Sequence, residues 1–118
     1  MRFHSHREAD EELTGAFEKY DAAVPGLSAD FLNEIEAGIE RIRKQPETWP
    51  RVKGSKARRH WIRRFPYGLM YLVRTDGILL NAVIHAKRRP NYWMHRLDEK
   101  LTELTVEKIV FRLRLAFV

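Results

Sequence analysis

Cysteine is absent from this 118-residue chain. That excludes a disulfide framework, a thiolate metal site and a thiol nucleophile. The same absence suits a reducing compartment, and the expected localisation is the cytoplasm. No uncharged apolar run approaches the ~20 residues of a membrane-spanning helix, so no membrane association is expected. The opening residues, MRFHSHREADEE, lack the apolar core of a secretory signal. Histidines number five, yet His4-x-His6 is their one close pairing, too little for a metal site. Neither a metal nor another cofactor is expected. No internal repeat or low-complexity linker breaks the chain, and its length fits one small domain.

Apolar side chains are well supplied. Hydrophobic residues make up 44% and aromatic residues 11%, enough for a packed core. Charge is unevenly spread. The net charge is +6, but residues 1–44 hold 6 Lys and Arg against 10 Asp and Glu, whereas residues 45–97 hold 12 against 2. So concentrated a positive region attracts phosphate backbones or an acidic protein segment.

Arg2-Phe3-His4 reads as a short edge strand. Ser5 and Glu8 then have capping-box spacing, and Ala9, Leu13, Ala16, Phe17, Tyr20 and Val24 form a helical stripe that Pro25-Gly26 ends. Ser28 is the expected cap of a second helix with Phe31, Ile35, Gly38, Ile39 and Ile42 on its apolar face, Gly38 inviting close helix approach. Residues 45–57 form a loop in which Trp49 is an expected packing anchor.

Three strands follow. Residues 58–65 form the first, ended by Pro66-Tyr67-Gly68, and Leu69 to Arg74 form a central one. Asp76-Gly77 signals a hairpin turn with positive φ at its central residues. Residues 78–87 then alternate, Ile78, Leu80, Ala82, Ile84 and Ala86 on one face, Leu79, Asn81, Val83, His85 and Lys87 on the other. A turn or short helix occupies 91–97. The expected fold class is α+β: β-α-α-β-β-β, an antiparallel sheet with a helical hairpin on one face and a partly open, basic second face. Residues 1–97 make this domain and 98–118 an extension. In the extension Leu101, Leu104 and Lys108 suggest helix, while Phe111, Leu113, Leu115 and Phe117 alternate as a strand. The extension is apolar enough to need a partner surface.

The phrases RRFPYGLMYLV and AVIHAKRRPNYW, preceded by FLNEIEAGIERIRKQPETWPRV, resemble the RelE/ParE superfamily of type II toxin–antitoxin toxins. The likeness covers residues 1–97. It implies a small growth-inhibiting toxin of the kind linked to plasmid stabilisation. A cognate antitoxin, expected to be acidic and partly disordered, would hold it inactive. RelE-like members cleave messenger RNA in the ribosome, and ParE-like members poison DNA gyrase. By resemblance, Arg88 and Arg59 fall at positions of catalytic cations in the cleaving enzymes. Two positions depart from that pattern: Gly68 stands where the typical nuclease has arginine, and Met94 where it has tyrosine, with Tyr92 nearby. These departures favour a gyrase-directed toxin over a nuclease.

Cleavage of RNA needs a base for the 2′-hydroxyl and positive charge on the phosphate. Arginine supplies only the second. His60, His85, His95 and Lys87 are the groups able to supply the first, and His85 stands closest to Arg88. The candidate catalytic set is therefore Arg88, His85 and Arg59. Arg58, Arg63, Arg64, Lys87, Arg89 and Tyr92 are candidates for binding nucleic acid or antitoxin. A non-catalytic nucleic-acid-binding module is the remaining alternative.

Overall fold

A computed structural model describes residues 2–98 and 101–116. The elements are β1 (Arg2–His6), α1 (Arg7–Ala23), α2 (Leu27–Lys44), β2 (Arg58–Trp61), β3 (Tyr67–Arg74), β4 (Gly77–His85), a 3₁₀ turn (Met94–Asp98), β5 (Leu101–Thr105) and α3 (Val106–Ala116). The class is α+β. One five-stranded sheet has the order β2-β3-β4-β1-β5. It is mixed rather than antiparallel, because β1 pairs with β4 in parallel. The helical hairpin between β1 and the other strands makes this possible: the chain crosses the sheet before returning.

The helix caps differ from the sequence pattern. Ser5 is drawn into β1, and His6 caps α1, its Nδ1 accepting the Glu8 N–H at 3.0 Å. Gly26, at φ 83°, caps α2, while Ser28 lies inside the first turn and donates to Asp21. The apolar stripes behave as expected, with Leu13 and Phe17 of α1 and Phe31, Ile35 and Ile42 of α2 buried. Val24 falls off the end of α1 and is 51% exposed. Gly38 faces the sheet, not the other helix. A Cβ there would lie 3.1 Å from Ile62 and 3.2 Å from Leu69.

The β3–β4 turn lies one residue earlier than Asp76-Gly77 suggests. Arg74 pairs with Gly77, so Thr75 and Asp76 are the two loop residues, and neither has positive φ. Gly77 sits at φ 149°, where a Cβ would be 2.4 Å from the Arg2 carbonyl of β1. Glycine is needed here to bring the parallel neighbour close.

Alternation on β4 also changes. The register slips between Met70 and Tyr71, which pair with Ala82 and Leu80, leaving Asn81 as a bulge. Ile78 and Leu80 therefore face the helices before it, and Val83 faces them after it. Ala82 and Ile84 turn to the opposite face. That second face is not open. A smaller core covers it, with Met70, Leu72, Leu79, Ala57 and a fully buried Trp93. β2 is only four residues long, ending at Trp61.

The α3 residues Val106, Ile109, Val110 and Leu113 belong to the same core as the helical hairpin. Of the residues where the sequence suggested helix, Leu101 and Leu104 lie in β5, beside β1, while Lys108 is helical in α3; where alternation suggested a strand, at Phe111, Leu113 and Leu115, the chain forms α3. Val106, Ile109, Val110 and Leu113 are buried at helical spacing, while Phe111 and Leu115 are 61% and 64% exposed. Phe117 lies outside the described residues. Among the described residues, no helix is long and apolar enough to cross a membrane.

Two stability predictions follow from this packing. Gly77→Ala should lower stability by roughly 1–3 kcal/mol from backbone strain alone, measured by urea denaturation. Ile109→Ala should cost about 2–5 kcal/mol by the same measurement, whereas a loosely attached extension would show almost no change.

Candidate functional site

Strand register separates the cations into two poles. Arg74 ends β3, and Arg58, which begins β2, pairs opposite Tyr71 three residues short of that end. With Arg51, Lys56 and Glu47 they surround a cleft of about 610 Å³. At the other end, Trp61 pairs with Gly68 and Tyr67 with His85. Arg63 and Arg64 precede β3 there, and Lys87, Arg88 and Arg89 follow β4. Along β3, Arg74 stands roughly 23 Å from Tyr67 at the usual rise, and Arg58, which pairs opposite Tyr71, roughly 13 Å. The structure therefore does not bring Arg58 together with Arg88.

The candidate residues have different local roles. Arg58 is half-buried and donates to the Trp49 carbonyl at 2.8 Å, a structural contact. Arg59 is exposed, its guanidinium 5.6 Å from the Trp61 ring. Trp61 lies against Gly68, where a Cβ would come within 2.9 Å of the indole. That contact accounts for glycine at 68: a side chain would have to move the tryptophan. Arg64, at φ 69°, stacks on Phe65 and reaches Asp30 at 3.5 Å. Arg63, Lys87 and Arg89 are exposed.

The histidines separate by environment. His60 is buried against Trp49, and its Nε2 accepts a hydrogen bond from Arg41 at 3.0 Å. Burial, then the charges of Arg41 and Arg63, lower its pKa to about 4. It is a neutral structural residue. His95 is exposed on the 3₁₀ turn. His85 is half-buried, edge-on to Tyr67 at 5.1 Å, and its Nδ1 accepts the Lys87 N–H at 3.0 Å. A neutral ring so held carries its proton on Nε2, which is then a donor.

One feature carried no sequence signal. Glu12, on α1, gathers three groups from distant parts of the chain. Its carboxylate accepts from the Val83 N–H at 3.1 Å, just past the Asn81 bulge. It accepts from Arg96 at 2.7 and 3.2 Å, and from the Tyr92 hydroxyl. Arg96 is 5% exposed, donates also to the Asn81 carbonyl, and has Nε 3.2 Å from Glu8. Burial opposes the Arg96 charge, but its hydrogen bonds and charge contacts to Glu12, with Glu8, outweigh burial and raise its pKa. Burial and the Glu12 hydrogen bond push the Tyr92 hydroxyl well above its ordinary range. The hydrogen bond to Glu12 thus anchors Tyr92. Met94 packs half-buried against the second core.

Beside this network a pocket of about 190 Å³ opens between α1 and the end of β4. Gly15, Ala16, Val83 and Tyr67 line it, with His85, Arg88 and Tyr92. The Arg88 guanidinium stacks over the Tyr92 ring at 4.4 Å, and no carboxylate among the described residues pairs with it. The loop is held by the Ala86 N–H on Pro66 and the Arg88 N–H on His85. Arg88, His85 and Tyr92 are thus brought together, and Arg59 lies apart on the outer sheet face with Trp61. Among the described residues no cluster of three metal-ligating side chains occurs.

Two outcomes test these environments. Arg96→Met should lose about 3 kcal/mol by leaving Glu12 without its cation, and Glu12→Gln combined with it should lose less than the sum of the two single changes in a urea cycle. His60 is protonated near pH 6.5 when unfolded and near 4 when folded. Its contribution should be complete above pH 6.5 and fall as pH drops toward 4, a trend that His60→Gln should reduce.

No protein-family model matches the chain, and no curated protein aligns with it significantly.

Proposed function

We propose that this protein is the toxin of a type II toxin–antitoxin system, of RelE/ParE type, held inactive by an acidic cognate antitoxin. The observation that carries the proposal is the element order β-α-α-β-β-β over residues 2–85, ending in the exposed run Lys87-Arg88-Arg89 at one sheet end. That order accompanies the sequence phrases that resemble the superfamily. A fold supports several targets, so side chains must decide between them.

The environments favour a gyrase-directed toxin. His60 is neutral and structural, the His85 Nδ1 is engaged by backbone, and the Tyr92 hydroxyl is held by Glu12. An arginine at 68 would displace Trp61. A ribosome-dependent nuclease is the second reading, favoured by one fact: Arg88 and His85 line the same pocket.

Inducible expression without an antitoxin should arrest growth. A gyrase-directed toxin should then produce trapped DNA breaks with transcripts intact. Cut transcripts abolished by Arg88→Ala, in a folded protein, would instead establish the nuclease. Normal growth at good soluble yield would sink the toxin assignment.

A further inference from the structure

We propose that the pocket between α1 and the end of β4 binds a single acidic side chain, glutamate or aspartate, of an extended peptide segment. This ligand rests on the toxin–antitoxin reading, in which such a segment belongs to the antitoxin.

Size narrows the ligand first. The pocket holds about 190 Å³. Sites for drug-sized molecules begin at about 300 Å³, so a whole nucleotide is too large and one side chain fits. Chemistry narrows it further. Arg88 presents a planar fork of donors, fixed over the Tyr92 ring at 4.4 Å. His85 adds a second donor, since the Lys87 N–H holds its Nδ1 and leaves the proton on Nε2. The one carboxylate in the lining, Glu12, is saturated by Arg96, Tyr92 and the Val83 N–H. It does not compete for Arg88. Between these groups the walls are Gly15, Ala16, Val83 and Tyr67, which match the methylene stem of an acidic residue better than a bare phosphate.

Gly15 creates the room. It sits mid-helix, where glycine weakens the helix by about 1 kcal/mol relative to alanine. A Cβ at 15 would touch nothing within 4 Å, so no packing in the folded chain requires glycine there. The surrounding charge favours an acidic partner as well. Residues 45–97 hold 12 cations against 2 anions, and Lys87 and Arg89 flank the pocket mouth in sequence. Neighbouring acidic residues of the same segment would meet them.

Binding to the purified full-length chain tests this directly, without recourse to growth. The probes are a peptide of about ten glutamates and, for comparison, a thymidine oligonucleotide of about ten residues. The readouts are the His85 ring resonances and calorimetric affinity. Gly15→Leu fills the pocket, and Arg88→Gln removes the fork from an exposed position that folding does not need. The glutamate peptide should shift His85, and each variant should weaken its binding by about tenfold or more. The oligonucleotide, held by surface arginines, should lose affinity with Arg88→Gln but not with Gly15→Leu. Three results would overturn the proposal: no peptide binding, peptide binding indifferent to Gly15→Leu, or oligonucleotide binding that Gly15→Leu weakens as strongly. None of these bears on growth arrest, so the toxin assignment stands or falls separately.

Discussion

The carboxylate of Glu12 is the point on which the candidate site depends. β4 is longer than its partner β1, which turns into α1 after His6. Beyond Leu80, the edge of β4 that faced β1 has lost its neighbour. A buried strand edge without partners is costly, because each backbone donor left unpaired forfeits its hydration. Glu12 arrives from α1 and satisfies the Val83 N–H. A carboxylate there needs a cation, and Arg96 provides it. Arg96 in turn fixes the segment after β4, so Trp93 can seat in the second core and Tyr92 can support Arg88. Strand end, helix, turn and binding cation are thereby joined through one side chain.

The Asn81 bulge complements this arrangement. It reverses which residues of β4 face the helices, and so turns Val83 toward α1. Without the extra residue, the alternating pattern would aim Ala82 and Ile84 at the helices. The bulge also leaves Asn81 fully buried, its side-chain N–H donating to the Trp93 carbonyl and its backbone carbonyl accepting from Arg96, while its Oδ1 has no hydrogen-bond partner among the described residues. The two bonds that Asn81 does make tie β4 to the turn that carries Tyr92.

Electrostatics divides the surface. The acidic first part lies mostly on the two helices, where Glu36 meets Arg114 and a second carboxylate, Glu107, meets Arg43. Such exposed pairs contribute little to stability, so burial of Ile109 and Val110, not charge, keeps α3 in place. The cations of residues 45–97 divide between two sheet ends. At the end where β4 finishes, Arg88 and His85 line one pocket with the rings of Tyr67 and Tyr92.

Local patterns determined the two helices, the central strand β3, the position of the β3–β4 hairpin and the basic character of the region around it. Each depends on neighbours within a few residues, so period and turn residues suffice. The misread elements depended on distant ones. Ser5 lost its cap role because β4 recruited it into β1, and α3 became helical because a four-residue stripe found the core while Phe111 did not. Arg88 and His85 were legible as cation and imidazole, but their shared pocket was not, nor was the role of Glu12, 84 residues from Arg96. Nothing in a sequence period specifies which carboxylate caps an orphaned strand edge. Only the crossing of α1 over β4 decides that, because it alone brings those groups within hydrogen-bonding distance.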